Sequence, residues 1–129
     1  MANVPDNLHY SKDHEWVRVE NNVAVIGITD HAQEQLGDVV YVELPKPGES
    51  FSAHESFGSV ESVKAVSEIF TPVAGEVTEV NDGVNDTPEA VNNDPYNAGW
   101  MVKVRMENPG AADALLSAVE YEEYLASTE

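Results

Sequence analysis

The residue best placed for chemistry is Lys64, in the run Glu61-Ser62-Val63-Lys64-Ala65. It is the only Lys or Arg between Lys46 and Lys103, an interval that holds ten acidic residues. An ordinary lysine amine keeps its proton up to a pKa of about 10.4. It is then a hydrated point charge on a flexible stem. Acylation removes that charge and turns the side chain into an anchor for whatever it carries. Lys64 therefore reads either as a solvated surface lysine or as an attachment point.

Other constellations carry less. His9, His14, His31 and His54 lack metal-ligand spacing. The acidic stretch Asp82 to Asp94 places Val84 where a calcium loop needs an oxygen ligand. Ser11-Lys12-Asp13-His14 holds triad residue types without a nucleophile elbow and reads as surface. Gly-rich phosphate loops are absent from the sequence. No acid–base or nucleophile pair emerges, so the chain does not read as an enzyme.

Composition narrows the class further. The 129 residues and 42% apolar content fit one modest core. There is no cysteine, which excludes disulfides, thiolate metal sites and a cysteine nucleophile. Six basic against 24 acidic residues give a net charge of −18. Nucleic acid would be repelled, and anionic membranes are disfavoured for the same reason. The N-terminus has no basic or apolar leader, and no apolar run approaches the ~20 residues of a membrane span. The expected setting is bacterial cytoplasm.

The elements that must position Lys64 read as short strands. Trp16–Val19, Val23–Ile28, Val39–Leu44, Gly75–Val80 and the alternating run Trp100–Arg105 are β-prone and bounded by turn residues. Asn81-Asp82-Gly83 reads as the turn after one of them. A helix is expected over Asp30–Leu36, with Thr29 as N-cap and Gly37 beyond its end. Thr87-Pro88 and Asn108-Pro109 offer two more helix starts. Ser117-Ala118-Val119-Glu120 fits a capping box for a last helix through Leu125. Residues 81–99, rich in Asn, Asp, Gly and Pro, should be mostly irregular. Around Lys64 itself the pattern is ambiguous. Val60, Val63, Val66 and Phe70 have near-helical spacing, whereas Gly58 and Pro72 bracket a valine-rich window that fits two short strands. A hairpin there would turn at Val63-Lys64 without the usual Asn-Gly or Asp-Gly.

Glu61-Ser62-Val63-Lys64-Ala65 resembles the lipoyl-attachment hairpin of the glycine cleavage system H protein family. The likeness continues in order through His14-Glu15-Trp16, Ile26-Gly27-Ile28-Thr29-Asp30-His31-Ala32-Gln33, Leu36-Gly37-Asp38, Val42-Glu43-Leu44-Pro45, Pro47-Gly48, Pro72-Val73-Ala74-Gly75-Glu76-Val77, Pro95-Tyr96 and Gly99-Trp100. It covers nearly the whole chain. Lipoyl domains of 2-oxo acid dehydrogenases usually show Asp-Lys-Ala and biotin carriers Met-Lys-Met. Val63 and Ala65 depart from both.

The resemblance implies a mostly β, lipoyl-domain-like fold. This is a flattened barrel or sandwich of two antiparallel sheets (a barrel-sandwich hybrid), with short peripheral helices and C-terminal helices. It implies one domain over 1–129, with a lipoyl-binding core at about 23–105, an N-terminal segment 1–22 and a helical appendage 108–126. It implies lipoate attached at Lys64, with Glu61, Ser62, Val63 and Ala65 presenting it. The protein would be a non-catalytic carrier. It would take the aminomethyl group of glycine from a pyridoxal-phosphate glycine decarboxylase to a tetrahydrofolate-dependent aminomethyltransferase, with dihydrolipoyl dehydrogenase restoring the cofactor. A lipoyl ligase or octanoyltransferase would attach the group, and the carrier would be monomeric. Glu15 and Glu68 are the candidates to pair with the ammonium of the cargo. The alternative is a lipoyl relay serving another lipoate-dependent system.

Overall fold

The computed structural model of the chain describes residues 4–108 and 110–128. In chain order the elements are β1 (His9–Tyr10), β2 (Glu15–Glu20), β3 (Val23–Ile28), α1 (Asp30–Leu36), β4 (Val39–Glu43), β5 (Ser50–Phe51), β6 (Ser56–Ser62), β7 (Val66–Phe70), β8 (Gly75–Val80), α2 (Asp82–Asp86), α3 (Ala90–Asn93), β9 (Val102–Met106), a 3-10 turn (Ala111–Ala114) and α4 (Ala118–Thr128). The strands form two antiparallel sheets and not a closed barrel. One has six strands in the order β1-β2-β3-β9-β8-β5, the other three in the order β4-β6-β7.

Alternation explains the layering. Along β9, Val102, Val104 and Met106 are buried while Arg105 is exposed, and β8 buries Gly75 and Val77. These meet Val42, Val60 and Ile69 of the smaller sheet in one continuous core. A second cluster gathers Tyr10, Trp16, Val25, Tyr96, Tyr121 and Leu125 on the other side of the large sheet. Gly27 makes room for it, because a β-carbon there would sit 2.8 Å from the Trp16 ring. The indole N–H of Trp16 donates to Pro95 O at 2.9 Å.

The helix signals hold at α1 and α4. Thr29 caps α1 by accepting from Ala32 N–H at 3.2 Å, and Gly37 ends it at φ +82°. Ser117 N–H donates to Glu120 Oε1 at 2.9 Å while Glu120 N–H donates to Ser117 Oγ at 3.2 Å, a reciprocal capping box. α4 continues to Thr128, beyond Leu125.

Residues 81–99 are irregular outside two short helices, α2 and α3. Four expectations need correction. Asn81 does not turn the chain but caps α2, accepting from Gly83 N–H at 3.1 Å. Thr87 is not an N-cap: α3 starts at Ala90 without a side-chain cap. The last strand starts at Val102, not at Trp100, and Met101 is fully buried before it. In the segment expected to be a helix after Asn108-Pro109, only one 3-10 turn forms, and Pro109 itself lies outside the described residues.

Candidate functional site

The stretch around Lys64 is a hairpin. β6 and β7 pair with Glu61 opposite Val66 and Val60 opposite Ser67, and Val63, Lys64 and Ala65 form the tip. The helical spacing of the valines is thus incidental. Ser62 supplies what an Asn-Gly turn would have supplied. Its backbone N–H donates to Ala65 O at 2.7 Å, its Oγ donates to the same carbonyl at 3.2 Å, and Oγ accepts from Ala65 N–H at 3.1 Å and Lys64 N–H at 3.3 Å. Ser62 is buried beneath the tip while Lys64 and Ala65 are exposed. Val63 and Val66 are 69% and 66% exposed, unusual for valine and consistent with a surface that another protein covers.

One flank of the tip rests on the loop after α1. Val63 N–H donates to Asp38 O at 3.1 Å. The stem of Lys64 passes over Gly37, where a β-carbon would lie 3.4 Å from Lys64 Cε. Leu36, next in the chain, lines a cleft of about 170 Å³, to which both strands of the hairpin contribute through Val60, Ser67, Glu68 and Ile69. Ile28, Ala32, Val60 and Ile69 make its walls apolar, and Glu15 and Glu68 both reach it.

Glu15 is 2% exposed, not the surface carboxylate its chemistry suggests. Ser11 Oγ donates to its Oε1 at 2.5 Å and Phe70 N–H donates to its Oε2 at 3.3 Å. Burial pushes the carboxyl up to about 7 against those two hydrogen bonds, with the Asp13 charge adding to the rise. Glu68 is exposed on β7. The sequence candidates thus fall into two groups linked through the hairpin: the tip residues 61–65, and the cleft carboxylates, Glu68 on β7 and Glu15 bonded to the Phe70 N–H.

Sequence reading missed the rest of the cleft's support. Ser11, taken as surface, is buried against Glu15. His14, in a left-handed conformation at φ 69°, lines the cleft and packs its ring 4.7 Å from that of His31. Burial and that neighbour lower its pKa. The Tyr121 hydroxyl of α4 lies 2.8 Å from both His14 Nδ1 and Thr29 Oγ1, tying the C-terminal helix to the cleft wall. The only available signal was the 3–4 spacing of Ala118, Tyr121 and Leu125, which marks a buried helix face and not its hydroxyl. Among the described residues no group of three His, Asp or Glu could hold a metal ion.

The residues suit a long apolar acyl chain with a charged end. The amine is exposed at a tip, both strands of that hairpin line an apolar slot, and a buried carboxyl already held by two donors waits in the slot.

Comparison with known proteins agrees. The profile of the family described as "Glycine cleavage H-protein" matches residues 8–128. The chain is 58% identical over 125 residues to the glycine cleavage system H protein of Herpetosiphon aurantiacus, covering 97% of this chain and 95% of that one. It is 54% identical to the H protein of Rubrobacter xylanophilus, with 100% of both chains covered. The crystal structure of a glycine cleavage system H protein from Mycobacterium marinum superposes with a TM-score of 0.86 at 39% identity, over 97% of this chain and 98% of that one.

Proposed function

The chain belongs to the glycine cleavage H-protein family, and we propose on that footing that Lys64 is the residue to which lipoate is attached. The protein is a non-catalytic lipoyl carrier of the glycine cleavage system, working with the other components of that system. The observation that carries the lysine assignment is the Ser62-knotted tip, which exposes Lys64 at the end of the hairpin whose two strands line the slot holding Glu15.

When attached, a lipoyl group supplies a reducible disulfide on a flexible arm, and tethering raises the effective concentration of its end near successive partners. The chain's own residues do the rest. Ser62 holds the tip in one shape, so that a ligase or octanoyltransferase meets a preorganised amine. Glu61, Val63 and Ala65 form the surface around it. Ile28, Ala32, Leu36, Val60 and Ile69 exclude water from the slot. With a lipoyl group in place, Glu15, with Glu68 at the rim, would pair with the ammonium of an aminomethyl cargo. The group would carry that cargo from glycine decarboxylase to aminomethyltransferase, and dihydrolipoyl dehydrogenase would restore its disulfide. The carrier acts as a monomer in the cytoplasm. Residues 23–105 form its lipoyl-binding core, flanked by the segments 1–22 and 108–126. No helix among the described residues is long and apolar enough to cross a membrane.

Glycine-dependent carbon dioxide exchange tests this reading. The lipoylated chain stimulates exchange by a glycine decarboxylase, and Lys64→Arg, which keeps the charge but accepts no acyl group, does not. A lipoylated chain that leaves exchange at background would instead indicate a relay for another system.

A further inference from the structure

Between the lysine tip and the rest of the molecule stands one side chain that none of the roles above uses. Asn92, half-buried on α3, spends its whole amide on the segment beside the tip. Its Oδ1 accepts from Val39 N–H at 2.8 Å. Its Nδ2 donates to Gly37 O at 2.9 Å and to Gln33 Oε1 at 2.9 Å. The partners span the end of α1, the loop after it and the first residue of β4. That same loop carries the two contacts that hold the tip: Gly37 beneath the Lys64 stem, and Asp38 O accepting from Val63 N–H. Gly37 sits at φ +82° and so has no conformational stiffness of its own to contribute. Its own helix holds the loop by one bond, Gly37 N–H to Gln33 O at 3.0 Å, and Asn92 supplies three more.

We propose that Asn92 is a positioning residue for the modification of Lys64, setting the loop 37–39 against which the lysine tip is presented. The inference rests on Lys64 being the attachment site. In that reaction Nζ, having lost a proton, attacks the acyl carbon of an activated lipoyl donor. From an acyl adenylate the C–N bond forms as the acyl–phosphate bond breaks, and AMP leaves. A tip that wanders spends less time in the one geometry that attack requires.

The molecule contains its own control. Asn85 on α2 also clamps β4, donating from Nδ2 to Val42 O at 2.5 Å, but three residues further from the tip. Both asparagines cover the same strand edge, so loss of either loosens the sheet. Only Asn92 touches the loop that the tip rests on.

Acylation of the full unmodified chain by a lipoyl ligase with lipoate and ATP, followed by intact mass, tests this together with amide exchange at Val63. Asn92→Ala lowers kcat/KM for acylation roughly tenfold and speeds exchange of the Val63 amide. Asn85→Ala changes neither, whatever it does to Tm. Asn92→Asp keeps the acceptor for Val39 and loses both donors, so it falls between wild type and Asn92→Ala. Equal slowing in Asn92→Ala and Asn85→Ala, or wild-type acylation and exchange in a folded Asn92→Ala or Asn92→Asp, would overturn the role. A wild-type chain acylated elsewhere than Lys64 would overturn the site assignment and this role with it.

Discussion

At the scale of the residue, Glu15 holds the most information. A carboxyl taken out of water resists ionisation, and its ordinary value of 4.5 rises to about 7. The folded state then binds a proton more tightly than the unfolded state. Stability contributed by this group is full below pH 4.5 and is lost as pH rises through 7, on the order of 3 kcal/mol. His14 works in the opposite sense, since its lowered pKa costs stability as pH falls through its unfolded value. Glu15→Gln isolates the first effect: chemical denaturation between pH 5 and 8 should show the variant losing less stability with rising pH than wild type. Parallel profiles would mean that Glu15 ionises normally. The same variant should release the aminomethyl cargo faster, because an amide offers no charge to its ammonium. The sequence marked Glu15 as a candidate only through its neighbours His14 and Trp16. Nothing in the residue type disclosed its burial, which follows from β2 pairing with β3 while β7 lays the Phe70 amide against it.

At the scale of the element, strands β2, β3, β4, β8 and β9 and the two capped helices were legible because their signals are local, whereas the two-residue strands β1 and β5 are too short to leave a pattern. Alternation places valines inward on β9, and Thr29 and Ser117 satisfy helix N–H groups within their own turns. Within 81–99 the two short helices were not legible. Asn, Asp and Gly favour loops by competing for backbone hydrogen bonds, yet here Asn81 spends its side chain on Gly83 N–H and on the carbonyls of Ala98 and Trp100. Such distant partners leave no mark in a window of sequence. The hairpin at Lys64 was ambiguous for a related reason, since its turn is closed by Ser62 rather than by glycine. α4 had been read as an appendage, but its Tyr121 joins the cleft. Tyr121→Phe keeps the ring stacked 4.7 Å from Tyr10 and removes the hydroxyl between His14 and Thr29. It should cost about 1–3 kcal/mol, as expected for buried partners left unpaired. It should also raise the His14 pKa toward that of free histidine as the ring is freed, which proton NMR can follow. An unchanged titration would show that Tyr121 does not hold His14 in place.

At the scale of the molecule, charge dominates. A net charge of −18 on 129 residues creates a field that draws basic partner surfaces and repels acidic ones. Lys64, once acylated, no longer interrupts that field in its interval of sequence. The exposed Glu61 and the outward Val63 and Val66 lie at or near the tip. Association with the other glycine cleavage components should therefore be steered electrostatically. Raising ionic strength from about 50 to 500 mM should slow association roughly tenfold or more while changing dissociation less, measurable by stopped flow. Salt-independent association would assign the docking energy to the valines instead. The class exclusions drawn from composition belong to this scale, and charge was readable in full before any fold was known.

All three scales converge on one amine. Peptide mapping by mass spectrometry, after co-expression with a lipoyl ligase and lipoate, examines it directly. A single lipoyl adduct on Lys64 is expected in the wild-type chain and none in Lys64→Arg. A wild-type mass equal to that of the bare sequence, or an adduct on Lys12, Lys46 or Lys103, would contradict it.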